Sequence, residues 1–180
     1  HETVVEEGMR SRPILPVRFN TVLRAEEAVT ALLTERAQVF RSALERVTGR
    51  VEMGLWVLWE PAAEAEVSPD EELEEGGPGA EYLYRRLKEE RSRSRVRAEG
   101  ERLIHALQAP LLSLAVESCP HPFPTERLLL AAAYLVDRDR VDAFRNCAAK
   151  VREDFPDLRF LLTGPWPPYH FVNGTEDNKR

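Results

Sequence analysis

The chain has 180 residues, of which 43% are hydrophobic, and 25 Lys and Arg against 31 Asp and Glu give a formal net charge of -6. This balance is typical of a globular protein of one or two small domains and excludes collagen-like, mucin-like and wholly disordered chains. The longest uncharged apolar stretch, 103–116, contains Pro110 and is shorter than the roughly 18 residues that a membrane-spanning helix needs, so no membrane span is expected.

Three elements are predicted in the first third of the chain. A short, proline-bounded apolar run predicts an edge strand near Pro13–Leu23. Apolar residues at spacings of three and four from Val29 to Val47 predict a helix that ends at Gly49. The alternation of apolar residues over Arg50–Trp59 predicts a strand with one buried side.

The net charge is unevenly distributed. Residues 60–81 contain nine acidic residues and no basic one, which leaves +3 for the remainder of the chain. Residues 62–79 are also rich in Ala, Pro and Gly, and they have too few large apolar side chains to offset the entropy of ordering them. This segment is therefore predicted to be a mobile linker between two domains. The next segment, 85–102, is basic, with eight basic and four acidic residues.

The second half predicts helix, strand, strand, helix and strand. A long helix from Tyr82 to about Leu107 has apolar residues at its ends and a polar middle. Strands are expected at Leu111–Cys119 and Leu128–Val136, although three alanines leave the latter open to a helical interpretation. A helix follows, capped by Asp137 or Asp139 and ending before Pro156. A final strand is expected at 158–163 and a frayed tail at 173–180.

This order predicts an α+β fold with two domains. The first, residues 1–61, is expected to be ferredoxin-like and incomplete at its start, because only strand, helix and strand precede the linker. The second, residues 80–172, is expected to combine the long charged helix, an antiparallel sheet and a terminal strand rich in Pro and Trp. Two cysteines, Cys119 and Cys147, are too few for a disulfide framework and fit a reduced cytoplasmic setting, with a bridge between them left open.

Few patterns indicate catalysis or a cofactor. The chain has no CxxC, HxxxH or HExxH pattern and no GxxxxGK[ST] phosphate loop. A nucleophilic pair of Cys119 with His121, or of Cys147 with His170, requires a spatial proximity that the sequence does not show. The basic run contains interleaved Glu residues, so an ion-paired, solvated helix surface is favoured over nucleic-acid binding. We therefore expect no enzyme activity, no metal, no cofactor and no nucleic-acid partner.

The segment Thr163–Phe171, TGPWPPYHF, is the most unusual part of the chain. Residues 165–171 contain three prolines and three aromatic residues, which gives a stiff backbone that holds large side chains at low entropy cost. Such residues serve either as binding hot spots or as part of the core where the last strand ends. Both interpretations remain open at this point.

This segment resembles the motif TGPWPPYSF of the gas vesicle GvpL/GvpF family. Four further stretches resemble family motifs in the same order: Pro16–Thr21 resembles PVRFGT, Gly49–Glu52 GRVE, Gly79–Leu87 GxxYLxRRL, and Ala133–Asp137 AYLVD. The resemblance extends over about residues 1–172. The chain departs from the motifs where Asn20 replaces Gly and His170 replaces Ser, and Trp56 stands where the family often has Lys.

The resemblance implies an accessory protein of gas vesicle formation, located in the cytoplasm or on the growing vesicle. Its implied partners are the small hydrophobic shell protein and other accessory proteins. Alternatives are a small-molecule-sensing ferredoxin-like module, which a closed apolar cavity would favour, and a Cys/His hydrolase.

The candidate residues form two groups. Those expected to bind partners are Trp166, Pro167, Pro168, Tyr169, Phe171, Arg85 and Arg86. Those expected to have structural roles within the motifs are Pro16, Arg18, Phe19, Thr21, Gly49, Glu52, Tyr82, Leu83, Tyr134, Gly164 and Pro165.

Overall fold

The structure, a computed structural model, describes residues 5, 7–8, 12–16, 22, 25–60, 78–120 and 127–172. These residues contain a four-stranded antiparallel sheet with the strand order β2–β3–β1–β4. The strands are β1 (Arg50–Leu58), β2 (Glu117–Pro120), β3 (Leu128–Asp137) and β4 (Arg159–Trp166). The α-helices are α1 (Glu26–Glu35), α2 (Ala37–Val47), α3 (Pro78–Leu112) and α4 (Val141–Asp154), and Arg138–Arg140 and Tyr169–Phe171 form 3-10 turns.

Strand β1 is a central strand of the sheet. It pairs antiparallel with β3 on one side and with β4 on the other. Its alternating apolar residues Val51, Met53, Leu55 and Val57 are buried, as the sequence pattern predicts. The sheet thus combines one strand that precedes the acidic segment with three that follow it. Most of the predicted linker at 62–79 lies outside the described residues.

The first strand and the first helix differ from their predictions in the described residues. Residues 13–16 of the predicted first strand have no regular secondary structure, and 17–21 lie outside the described residues. The helix predicted over 29–47 is two helices that meet at Arg36. Only the second of them has buried residues, Ala43 and Val47, whereas Leu33 of α1 is 54% exposed. The α+β class is confirmed, whereas the two-domain, ferredoxin-like division stays a prediction.

The main core lies between one face of the sheet and helices α3 and α4. Leu107 and Leu111 of α3 and Phe144 of α4 are fully buried against the alternating residues of β1 and β3. A smaller cluster covers part of the opposite face. It consists of Val47, Ala133, Leu135 and Phe171, with Leu15, Cys119 and Val172 packed beside it.

Two boundaries in the middle of the chain were predicted wrongly. Helix α3 extends through Pro110 to Leu112, because Leu107 and Leu111 lie one turn apart and both pack in the core. Their burial outweighs the helix-breaking tendency of proline. The strand expected at 111–119 is therefore confined to Glu117–Pro120.

The elements after residue 127 follow the predictions more closely. The alanines of 131–133 belong to strand β3, so the helical alternative is wrong, and α4 buries Val141, Phe144, Ala148 and Val151 on one face. The predicted capping is wrong, because neither Asp137 nor Asp139 provides a side-chain cap at the start of this helical segment. The carboxylate of Asp137 instead pairs with Arg50 at 3.1 Å. Strand β4 is longer than the predicted 158–163.

Within the described residues, every helix is too short or too polar to cross a membrane.

Candidate functional site

Within β4, Gly164 lies at an irregularity in the pairing with β1, after which the C-terminal motif packs back onto the sheet. This residue has φ 106° and is followed by a cis peptide bond to Pro165. A Cβ atom here would lie 2.7 Å from the backbone oxygen of Glu52, which is too close for any side chain. Arg145 of α4 donates a hydrogen bond to the Gly164 carbonyl at 3.1 Å. The glycine therefore allows β4 to approach β1 closely before the chain turns.

The buried carboxylate of Glu52 holds the end of the motif. Glu52 is 5% exposed, and its Oε2 accepts a hydrogen bond from the backbone N–H of His170 at 2.9 Å. The second oxygen, Oε1, lies 2.6 Å from Nδ1 of His170. A buried carboxylate is costly unless hydrogen bonds compensate it. These two contacts join the GRVE segment to the C-terminal motif.

The residues of the motif differ in burial, and the role of this segment in partner binding stays a prediction. Pro167 and Pro168 are fully buried, and Phe171 is 1% exposed in the smaller core cluster. Tyr169 is half-buried. Trp166, at 38%, is the one large apolar residue of 163–171 that is clearly exposed. Pro167, Pro168 and Phe171 therefore pack against the sheet and are not accessible to a partner in this structure.

The turn at Gly49 lies at the same end of the sheet. Gly49 has φ 73° and accepts a hydrogen bond from the backbone N–H of Arg138 at 3.0 Å, which closes the connection between the start of β1 and the end of β3. Arg46 of α2 donates a hydrogen bond to the carbonyl of Phe171. Pro16 is buried. Arg18, Phe19 and Thr21 lie outside the described residues.

Tyr134, from the AYLVD stretch, is fully buried on the helix-covered face of the sheet. Its ring packs against that of Phe144, with 5.3 Å between the centroids. Burial raises the pKa of Tyr134 to about 12, and the side chain of Gln108 opposes this shift. Gln108 is thus near the hydroxyl, but neither it nor any other described residue is placed to form a well-aligned hydrogen bond with it. Tyr134 is thus a core residue.

The face of the sheet opposite α3 and α4 carries exposed apolar side chains on β1 and β4. Trp56 is opposite Leu161, which is 58% exposed, and Leu58 is 45% exposed on the same side of β1. By register, Trp166 is opposite Glu52 further along the same pair of strands. We call Trp56, Leu58, Leu161 and Trp166 the apolar strip. Of these four residues, only Trp166 was a candidate from the sequence. The others were missed because neither strand alone indicates that β1 pairs with β4.

The motif residues of α3 are on the surface. Tyr82 and Leu83 are 52% and 59% exposed. Arg85 lies 6.0 Å from the centroid of the Tyr82 ring, and Arg86 donates a hydrogen bond to the Tyr82 hydroxyl at 3.5 Å. Arg85 and Arg86 are both exposed, and their role in partner binding stays a prediction.

The alternatives with a catalytic or ligand site gain no support from the described part of the chain. Cys119 packs with the smaller cluster and Cys147 with the main core, so the two cysteines lie on opposite faces of the sheet and form no disulfide. The sheet likewise separates Cys147 from the pair of Glu52 and His170. His121 lies outside the described residues. Two surface pockets, both on α3, are lined mainly by charged side chains, and no group of three metal-ligating residues occurs among the described residues.

Comparison with known proteins identifies the family. A sequence model of the gas vesicle synthesis protein GvpL/GvpF family matches residues 1–173. The chain is 35% identical to gas vesicle protein L of a Streptomyces species over 99% of its own length and 69% of the relative's. It is 24% identical to gas vesicle protein F1 of Halobacterium salinarum over 96% of its own length and 67% of the relative's.

The fold has the same relatives. The structure is similar to a crystal structure of GvpF from Anabaena, with a TM-score of 0.79 and 24% identity, over 97% of this chain and 76% of that one. A crystal structure of GvpF from Microcystis aeruginosa gives a TM-score of 0.74 at 22% identity, over 96% of this chain and 74% of that one. Because the family match covers nearly the whole chain, the protein belongs to the GvpL/GvpF family of gas vesicle proteins, which are accessory proteins involved in gas vesicle formation.

Proposed function

We propose that the protein is an assembly factor that binds the hydrophobic shell protein of the gas vesicle through the apolar strip. The observation that carries this proposal is the exposure of Leu58, Leu161 and Trp166 along two paired strands. Large apolar side chains that are exposed side by side commonly mark a binding surface. An apolar shell subunit is a suitable occupant, because it must be kept from aggregating before it joins the vesicle.

The C-terminal motif packs on the same face of the sheet as this surface. The contacts of Glu52 with His170 and of Arg145 with Gly164 fix the end of β4. Trp166 is thus held on a stiff segment, which reduces the entropy lost on binding. In this proposal the prolines and Phe171 position the surface, while Trp166 and Leu161 contact the partner. The protein would act in the cytoplasm and on the growing vesicle.

A pull-down with the shell protein tests the proposal. Leu161→Ser should reduce the amount of shell protein recovered at least severalfold, because it removes the most exposed apolar side chain of the strip. Leu33→Ser is the matched control, since Leu33 of α1 is 54% exposed and Leu161 58%. Recovery should be unchanged for the control. Equal recovery with both folded variants would refute a role for the strip.

A further inference from the structure

The N-terminal half of α3 extends beyond the core. The helix has 35 residues, about 52 Å at a rise of 1.5 Å per residue. Its core contacts begin near Gly100, which lies against Trp59 and Leu129, and continue through Leu111. From 82 to 99, each described side chain is exposed apart from the half-buried Val96. In roughly half of the helix, therefore, most side chains on all sides are exposed to solvent.

This exposed half carries a concentrated positive charge. Residues 85–97 contain seven basic and two acidic residues, a net charge of +5. The expected ion-paired surface is not formed, because within the described structure Arg97 is the one base of this run in a salt bridge, with Glu101 at 3.1 Å. Lys88, Arg91, Arg93 and Arg95 have no carboxylate within ion-pair distance among the described residues.

The spacing of these bases adds repulsion within the helix. Arg91 and Arg95 are four residues apart, as are Arg93 and Arg97, and like charges at this spacing destabilise a helix. Negative charges from a partner would relieve this repulsion. The surface is therefore electrostatically suited to an acidic ligand.

Apolar residues beside the basic run indicate what kind of acidic ligand fits. Leu83 and Leu87 lie one turn apart and are 59% and 52% exposed, and Tyr82 is 52% exposed. Leucine side chains match an apolar polypeptide surface better than a phosphate backbone, and Glu89 and Glu90 within the run oppose nucleic acid. We propose that the exposed half of α3, residues 82–97, binds an acidic amphipathic helix of a partner protein.

This surface is separate from the apolar strip, and its test does not depend on shell binding. The probe is a fluorescein-labelled synthetic helix of Glu, Leu and Ala with leucines at spacings of three and four, measured by fluorescence anisotropy. A peptide with Lys in place of Glu is the charge control. The acidic peptide should bind, with an affinity that falls steeply as salt is raised, and the basic peptide should not.

Charge reversals locate the binding surface. Arg86→Glu/Arg93→Glu should weaken binding of the acidic peptide at least tenfold. Arg41→Glu/Lys150→Glu changes the net charge by the same amount at exposed positions of α2 and α4 and should leave binding within twofold. Equal weakening by both pairs would show a nonspecific charge effect and overturn the proposal.

Two other outcomes would also overturn it. One is no measurable binding of the acidic peptide to the unmodified protein at low salt. The other is tighter binding of a 20-nucleotide single-stranded DNA than of the peptide, which would identify the basic run as a nucleic-acid surface. Circular dichroism of each variant distinguishes loss of the surface from loss of the fold.

Discussion

At the scale of single residues, Gly164 lies where β4 passes close to the backbone of β1. Replacing Gly164 by Ala combines an unfavourable φ of 106° with a contact of 2.7 Å to the Glu52 oxygen. We expect Gly164→Ala to lower the free energy of unfolding by about 3 kcal/mol. Gly49→Ala is the control, because Gly49 also has positive φ but has no atom within 4 Å of the added Cβ.

The control should cost about 1 kcal/mol, the backbone contribution alone. Urea denaturation of the two variants measures the difference. Equal losses would mean that the close approach of β4 to β1 contributes nothing.

Tyr134 makes stability depend on alkaline pH. Below pH 10 the tyrosine is protonated in both states. Because burial raises its pKa in the folded protein to about 12, only the unfolded state ionises between pH 10 and 12. The contribution of this residue to the free energy of unfolding therefore falls as pH rises, by up to about 3 kcal/mol over that interval.

Tyr134→Phe should remove this contribution and change stability at pH 7 by less than about 1 kcal/mol, since the hydroxyl gains little in the core. Denaturation at pH 7 and at pH 11 measures both effects. An equally steep alkaline loss in the variant and in the unmodified protein would contradict the assignment.

The sequence contains the motif residues but not their contacts. Glu52 and His170 are 118 positions apart, and nothing in the local pattern of either residue indicates their pairing. Likewise, composition alone does not separate the buried Phe171 from the exposed Trp166, because both are aromatic residues in one proline-rich segment. Their different burial follows from the irregular strand pairing at Gly164 and from the path of the chain across the sheet.

At the scale of elements, the two halves of α3 differ in burial. Leu107 is fully buried, whereas Leu87 is 52% exposed. Leu107→Ala should therefore cost about 2–5 kcal/mol of unfolding free energy, and Leu87→Ala should cost less than about 0.5 kcal/mol. Thermal or urea denaturation of the two variants compares the same substitution on one helix. A similar cost at both positions would show that the exposed half also packs in a core.

Elements whose apolar residues recur with a clear period were located correctly from the sequence. The arrangement of strands that pair over long distances in the chain was not. Strand β1 and helix α4 have clear periods of two and 3.6 residues, and both were located from the sequence. The central position of β1 in the sheet depends on contacts with β3 and β4, which lie beyond the acidic segment. An apolar run that spans Pro110 also gives no local signal that the helix continues to Leu112.

At the scale of the whole molecule, the two candidate surfaces differ in charge: the apolar strip is uncharged and the exposed half of α3 is basic. The apolar strip lies on the sheet face opposite α3 and α4. The basic residues lie on the exposed half of α3, residues 82–97. Binding to the strip should depend weakly on salt, because it buries apolar area. Binding to α3 should depend strongly on salt. If both proposals hold, one small protein contacts two chemically different partners.

Complementation of a deletion strain tests the role of the apolar strip most directly. The unmodified protein and Leu33→Ser should restore vesicle formation, seen as floating, refractile cells. Leu161→Ser/Trp166→Ala, present at the same level in the cell, should not restore it, because the shell protein would lose its binding surface. Normal numbers of vesicles with the double variant would contradict the proposal that the strip binds the shell protein during assembly.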